Sequence, residues 1–125
     1  MQRVLIVDDE RLVADTLTLV FQKSGFNAKA AYDVNSAMEF VRNFRPDLLL
    51  CDITMPGKDG LALVNEITHE LPSCRIMVLT GFYSNLKVVN EEASRLRLPL
   101  PLSILTKPCQ PDDLLREAAA LLSVA

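Results

Sequence analysis

The sequence predicts a doubly wound α/β fold, in which a parallel sheet is covered by helices on both faces. Apolar runs punctuate the chain: VLIV (4–7), LLLC (48–51), IMVL (76–79) and SILT (103–106). The first three carry apolar residues at successive rather than alternate positions, as strands buried on both sides do. Amphipathic stretches at helical spacing separate the runs, and proline or glycine ends most of them. Strand followed by helix, repeated along the whole chain, calls for parallel pairing with right-handed crossovers.

The elements follow in order. VLIV is the first strand. Leu12, Val13, Leu17, Val20 and Phe21 recur at helical spacing, and Gly25 marks a stop. NAKAAY (27–32) alternates weakly and fits a less buried strand at a sheet edge. Ala37, Met38, Val41 and Phe44 form a second helical stripe, ended by Pro46. LLLC is the third strand. Leu61, Val64, Ile67 and Leu71 form the next stripe, ended by Pro72, and IMVL follows. Leu86, Val89, Ala93 and Leu96 predict a fourth helix, ended by Pro99, before the SILT strand. Leu114, Leu115, Ala118, Leu121 and Leu122 predict a last helix, with Pro111 in the first turn, where proline is tolerated. No linker, repeat or low-complexity segment interrupts the pattern, and one domain is expected over residues 1–125.

Composition narrows the function. The chain has 125 residues, half of them hydrophobic, a net charge of −3 and a pI near 5.1. The acidic balance argues against direct nucleic-acid binding, which needs a clustered basic face. The apolar run at the N-terminus is too short for a signal peptide, and no run approaches the length that spans a bilayer, so a cytoplasmic protein without membrane contact is expected. Cys51, Cys74 and Cys109 show no metal-ligand spacing and read as reduced thiols, with Cys109 the least buried. His69-Glu70 begins like a zinc-protease motif, but the chain has one histidine and Pro72 breaks the helix. An exposed His69 near a helix end is expected.

The chemistry collects at the strand ends. The first strand runs into Asp8, Asp9 and Glu10, the third into Asp52, the fourth into Thr80, and the fifth into Thr106-Lys107-Pro108. In a parallel sheet these groups share one rim, the rim where doubly wound folds bind ligands. Carboxylates gathered there repel one another unless a cation neutralises them. Ligation by oxygen alone favours a hard ion such as Mg²⁺. Asp52 ends a rigid apolar strand with its carboxylate expected at the rim, and Pro56-Gly57 is expected to turn the chain sharply so that it does not cover the acid. Such an acid beside Mg²⁺ suits nucleophilic attack on a phosphoryl group.

Four motifs in order, VDDE (7–10), D-x-x-M-P-G-x-D-G from Asp52 to Gly60, Thr80-Gly81 and Lys107-Pro108, resemble the receiver domain of bacterial two-component response regulators. The resemblance covers essentially the whole chain. It implies a flavodoxin-like (βα)5 three-layer sandwich with a five-stranded parallel sheet in the order 2-1-3-4-5. It implies Asp52 as phosphoryl acceptor, and Mg²⁺ (or Mn²⁺) held by Asp9, Asp52 and the backbone carbonyl of Thr54, with Asp8 acting through water. Thr80 would donate its hydroxyl to the phosphoryl group, and Lys107 would pair with a phosphoryl oxygen. The implied partners are a sensor histidine kinase or phosphotransfer protein and a downstream protein. A homodimer through the fourth helix and fifth strand is a further expectation. No enzyme activity is expected beyond self-phosphorylation from small phosphodonors and autodephosphorylation.

Two other readings share the fold. A degenerate, non-phosphorylated interaction module would not keep the acids, Thr80 and Lys107. An aspartyl-phosphate hydrolase would need a second acid two residues after the nucleophile, where this chain has Thr54. The chain also departs from the family pattern. Ile104 stands where many receivers carry an aromatic that swings on activation, the family's small-residue pair before the fifth strand is absent, and a long interval through RLRLPLPL (95–102) separates Thr80 from Lys107. Output is therefore expected through the loop 81–84, with Gly81-Phe82-Tyr83, and the face near residues 86–102.

Overall fold

The computed structural model describes residues 2–52, 60–80, 102–106 and 109–123. Within these, strands β1 (Arg3–Val7), β2 (Asn27–Ala31), β3 (Leu48–Asp52), β4 (Arg75–Thr80) and β5 (Leu102–Thr106) form one sheet in the order β2-β1-β3-β4-β5, every pair parallel. Helices α1 (Arg11–Lys23), α2 (Val34–Phe44), α3 (Gly60–Glu70) and a C-terminal helix (Pro111–Leu122) complete the described elements. The expected fold class and strand order are borne out. The helix expected over 86–96, the Gly81-Phe82-Tyr83 loop, Thr54 and Lys107 lie outside the described residues.

The period of the strands divides the core into two layers. Leu5, Val7, Leu49, Cys51, Ile76 and Val78 face one way and meet Ala37 and Val41 of α2 and Leu63, Val64 and Ile67 of α3. Their alternate neighbours Val4, Ile6, Leu48, Leu50, Met77 and Leu79 face the other way. These meet Ala14 and Phe21 of α1 and Leu114, Ala118 and Leu121 of the C-terminal helix. Each face needs its own cover, so β1, β3 and β4 carry polar residues only at their ends and β3 is buried at every position. Edge strand β2 alternates instead: Ala28 and Ala31 are buried, whereas Asn27 and Lys29 are exposed.

Helix ends are set locally. Asp33 caps α2 by accepting the Ser36 amide at 2.7 Å. Arg45 closes the same helix in the left-handed region at φ 50°, its amide bonded to the Val41 carbonyl, and Pro46 prevents continuation. Gly25 takes φ 97° after α1, a backbone that favours glycine.

One stripe is placed differently from its expectation. Leu12 is 80 % exposed and Leu19 is 50 % exposed, while Ala14, Thr18 and Phe21 form the buried face of α1. Two residues of helix turn Leu12 by about 200° from Ala14, which puts it on the solvent side. Thr18 occupies the buried position because its hydroxyl donates to the Ala14 carbonyl at 2.7 Å.

At the amino ends of the strands Asp47 ties three strands together. Its amide donates to the Arg3 carbonyl at 2.8 Å, its carboxylate accepts the Arg3 amide at 2.8 Å, and its carbonyl accepts the Arg75 amide at 2.9 Å. With β1, β3 and β4 fixed in register at this end, their carboxyl ends are fixed relative to one another at the other.

Candidate functional site

The register decides where the acids fall. Val7 lies opposite Cys51, so the next residues on the two strands, Asp8 and Asp52, emerge side by side. Oxygens of Asp8, Asp9 and Asp52 all lie within 4.8 Å of one another. Asp8 is 1 % exposed and Asp52 2 %, whereas Asp9 faces solvent. Asp52 is thus not left uncovered as the sequence led one to expect: its place at the end of the fully buried β3, beside Asp8, encloses it. The site is therefore a buried pair of carboxylates with one exposed carboxylate at its mouth.

Backbone bonds orient this cluster. The Asp8 amide donates to the Ala31 carbonyl at 3.1 Å, which carries the β1–β2 pairing one residue past the strands. Asp8 Oδ1 accepts the Glu10 amide at 3.0 Å, folding the chain back toward the start of α1. That helix begins at Arg11, so its amide-rich end lies beside the acids, which favours negative charge there.

The donor set fits a divalent cation. All the clustered groups are carboxylates, with no cysteine or histidine among them, which suits Mg²⁺ or Mn²⁺ over softer metals. Burial of two carboxylates side by side is costly without a cation to offset it.

The other expected site residues are placed in part. Thr80 ends β4, one step beyond the position paired with Asp52, and pairs with Thr106 at the end of β5. It shares the rim with the acids. Lys107, the next residue after β5, and Thr54 lie outside the described residues. Ile104 pairs with Val78 in the middle of the β4–β5 ladder. His69 is exposed near the end of α3, with Nδ1 2.7 Å from the Asn65 carbonyl, and plays no part in the cluster. Cys51 and Cys74 are buried and Cys109 is half-buried, as expected. Burial pushes the Cys74 thiol up to about 12.

A polar cluster beside the acids has no counterpart in the motifs. The Tyr32 hydroxyl donates to Asp15 Oδ1, and the Arg11 guanidinium carbon lies 4.2 Å from the centre of the Tyr32 ring. The bond to Asp15, together with burial, pushes the phenol above its ordinary value. Arg11 and Asp15 are neighbours at helical i, i+4 spacing, but only the packing of α1 against the end of β2 brings Tyr32 to them, so local spacing could not have disclosed the cluster.

Residues 4–119 match the family described as the response regulator receiver domain, and the chain belongs to that family. Among solved structures it is similar to a response regulator receiver domain protein (CheY-like) from Methanospirillum hungatei JF-1, at 24 % identity and a TM-score of 0.85, covering 98 % of this chain and 94 % of that one. The receiver domain of NtrX from Brucella abortus matches at 27 % identity and a TM-score of 0.83, covering 98 % and 99 %. A longer NtrX chain from Brucella abortus, in complex with ATP, matches at 29 % identity and a TM-score of 0.83; 96 % of this chain aligns with 26 % of that one. This chain thus spans nearly all of the first two solved chains and about a quarter of the third. Among the described residues no helix is long and apolar enough to cross a membrane.

Proposed function

We propose that the chain is a single phosphoacceptor receiver domain over residues 1–125, and that Asp52 takes a phosphoryl group from a sensor histidine kinase or phosphotransfer protein. The observation that supports this is the cluster of Asp8, Asp9 and Asp52 within 4.8 Å at the carboxyl rim, with Asp52 closing a fully buried strand. A carboxylate fixed in this way costs little reorganisation when it attacks. One Asp52 oxygen bonds to phosphorus as the bond from phosphorus to the donor's imidazole nitrogen breaks. The electron pair stays on the imidazole.

Asp9, Asp52 and the Thr54 carbonyl would hold Mg²⁺ (or Mn²⁺), with Asp8 acting through water. When bound, the ion neutralises the crowded acids and the charge that develops on the phosphoryl oxygens. Thr80 would donate its hydroxyl to one phosphoryl oxygen, and the Lys107 ammonium would pair with another. The resulting shift changes a surface read by a downstream protein. The domain works as a cytoplasmic switch, with catalysis limited to its own phosphorylation from small phosphodonors and its own dephosphorylation.

Intact mass after incubation with Mg²⁺ and a small acyl phosphate tests this reading. The expected result is a gain of one phosphoryl group, absent in Asp52→Asn. An unchanged mass in the wild type, or an equal gain in Asp52→Asn, would remove Asp52 from its role.

A further inference from the structure

We infer that Tyr32, clasped between Arg11 and Asp15, is a positioning residue that holds the turn carrying Asp8 and Asp9 in the geometry that receives a divalent cation. The inference rests on the metal-binding reading of these acids given above. Three connections carry it. The Asp8 amide is bonded to the Ala31 carbonyl, and Tyr32 is the next residue. The Tyr32 hydroxyl is bonded to Asp15 in the second turn of α1, and its ring lies under the Arg11 guanidinium in the first turn. Arg11 stands two residues after Asp9, so the clasp bridges both ends of the turn that bears the acids.

The clasp answers a mechanical need. Asp9 is exposed and α1 has no side-chain cap at Glu10, and the bond from the Glu10 amide to Asp8 Oδ1 ties the turn to itself, so the clasp adds a side-chain tie between the helix start and the end of β2. The exposed acid must nevertheless stay close to two buried ones. A ring wedged between the first two turns of α1 and the end of β2 restrains the helix start against the strand. The charges around Arg11 keep it in place: Asp15 lies on its own helix, and Asp33, at the start of α2, feels its charge. A cation over a ring face and an aligned hydroxyl bond each restrict direction as well as distance.

Two measurements on the full chain test the clasp. In the metal-free protein, amide hydrogen exchange at Asp8 should accelerate about tenfold in Tyr32→Leu and Arg11→Gln, while Leu5, Ile6 and Leu49 keep their protection. Mg²⁺ titration should show a dissociation constant weakened roughly fivefold in the same variants, less than removal of a partner bonded directly to a ligand costs. Arg11→Lys keeps a cation over the ring and should restore both values close to wild type, and Tyr32→Phe should fall between. Unchanged Asp8 exchange in Tyr32→Leu overturns the clasp. So does acceleration of Asp8 and the core amides in equal proportion, because that is general destabilisation. If wild type and Asp9→Ala respond alike to Mg²⁺, the metal reading fails, and exchange at Asp8 in the metal-free protein still decides whether the clasp holds the turn.

Discussion

Asp8, just past the end of β1, and Asp52, the last residue of the neighbouring parallel strand β3, stand side by side, both almost wholly buried, with carboxylate oxygens within 4.8 Å. Two like charges at this distance and burial oppose each other strongly, and the fold keeps them together. Sites held in this way trade stability for function.

The first prediction follows from that opposition. Asp52→Asn removes one charge with little change in shape, so the metal-free variant should be more stable than wild type by on the order of 1 kcal/mol. Chemical denaturation in chelator measures it. Addition of Mg²⁺ should narrow the gap, because the cation relieves in the wild type what the substitution relieves in the variant. A metal-free variant less stable than wild type would contradict the account of the pair.

Asp9 gives the second prediction. It is the exposed member of the cluster, so its carboxylate can be removed without opening the core. Asp9→Ala should keep its thermal midpoint within a few degrees of the metal-free wild type and lose the shift that Mg²⁺ produces. A retained Mg²⁺ shift would place the ion elsewhere.

Legibility in the sequence followed how local each determinant is. Strands β1, β3 and β4 are apolar at successive positions because both faces are covered, and that pattern survives without coordinates. The acids were legible for the same reason: each follows a run whose end is marked by the change from apolar to charged. Periodicity alone could not phase α1. Leu12 fits the spacing of a stripe but points to solvent, while polar Thr18 takes the buried place by bonding back to Ala14. The contacts of Tyr32 with Arg11 and Asp15 depend on tertiary packing between elements, which no spacing rule encodes.

The phase of α1 yields a third prediction. Leu12→Ser should change stability by no more than about 0.5 kcal/mol, as for surface positions in general. Phe21→Ala, one helical face away and fully buried, should cost about 3–5 kcal/mol through lost burial and a cavity. Denaturant midpoints for the two variants measure both. A large loss in Leu12→Ser would return that residue to the core stripe.

Asp33 supplies a prediction in pH. Hydrogen bonding to Ser36 at the start of α2 holds its carboxyl below the ordinary value of 3.8. A depressed folded pKa means that the ionised cap stabilises the fold above 3.8, and that this contribution is lost as pH falls through the folded value. At pH 7 Asp33→Ala should lower the thermal midpoint by a few degrees. Asp33→Asn still offers an oxygen to the Ser36 amide and should lower it less. The difference between wild type and Asp33→Asn should shrink below pH 3.8, and a difference constant from pH 7 to pH 2 would exclude an ionised cap.

The thiols give the last prediction, in which burial sets both reactivity and alkaline stability. Cys51 and Cys74 are buried, while Cys109 is half-buried between β5 and the C-terminal helix. The thiolate is the reactive form, and desolvation disfavours it. Burial pushes Cys74 from 9.0 up to about 12, and pushes Cys109 up as well. A disulfide reagent at pH 8 should therefore label Cys109 first and slowly, and reach Cys51 and Cys74 only as the protein unfolds. The same shift fixes a sign for stability. A thiol whose folded value is raised contributes stability that is complete below its unfolded value and lost as pH rises toward the folded one. Between pH 9 and about pH 12 the unfolded chain ionises Cys74 and the native one does not, so stability should fall across that window. Cys74→Ala, although less stable at pH 7 for want of its buried sulfur, should fall less steeply there. Equal slopes for variant and wild type, or labelling of Cys74 at the rate of Cys109 in the native protein, would show that the thiol is not held in the core.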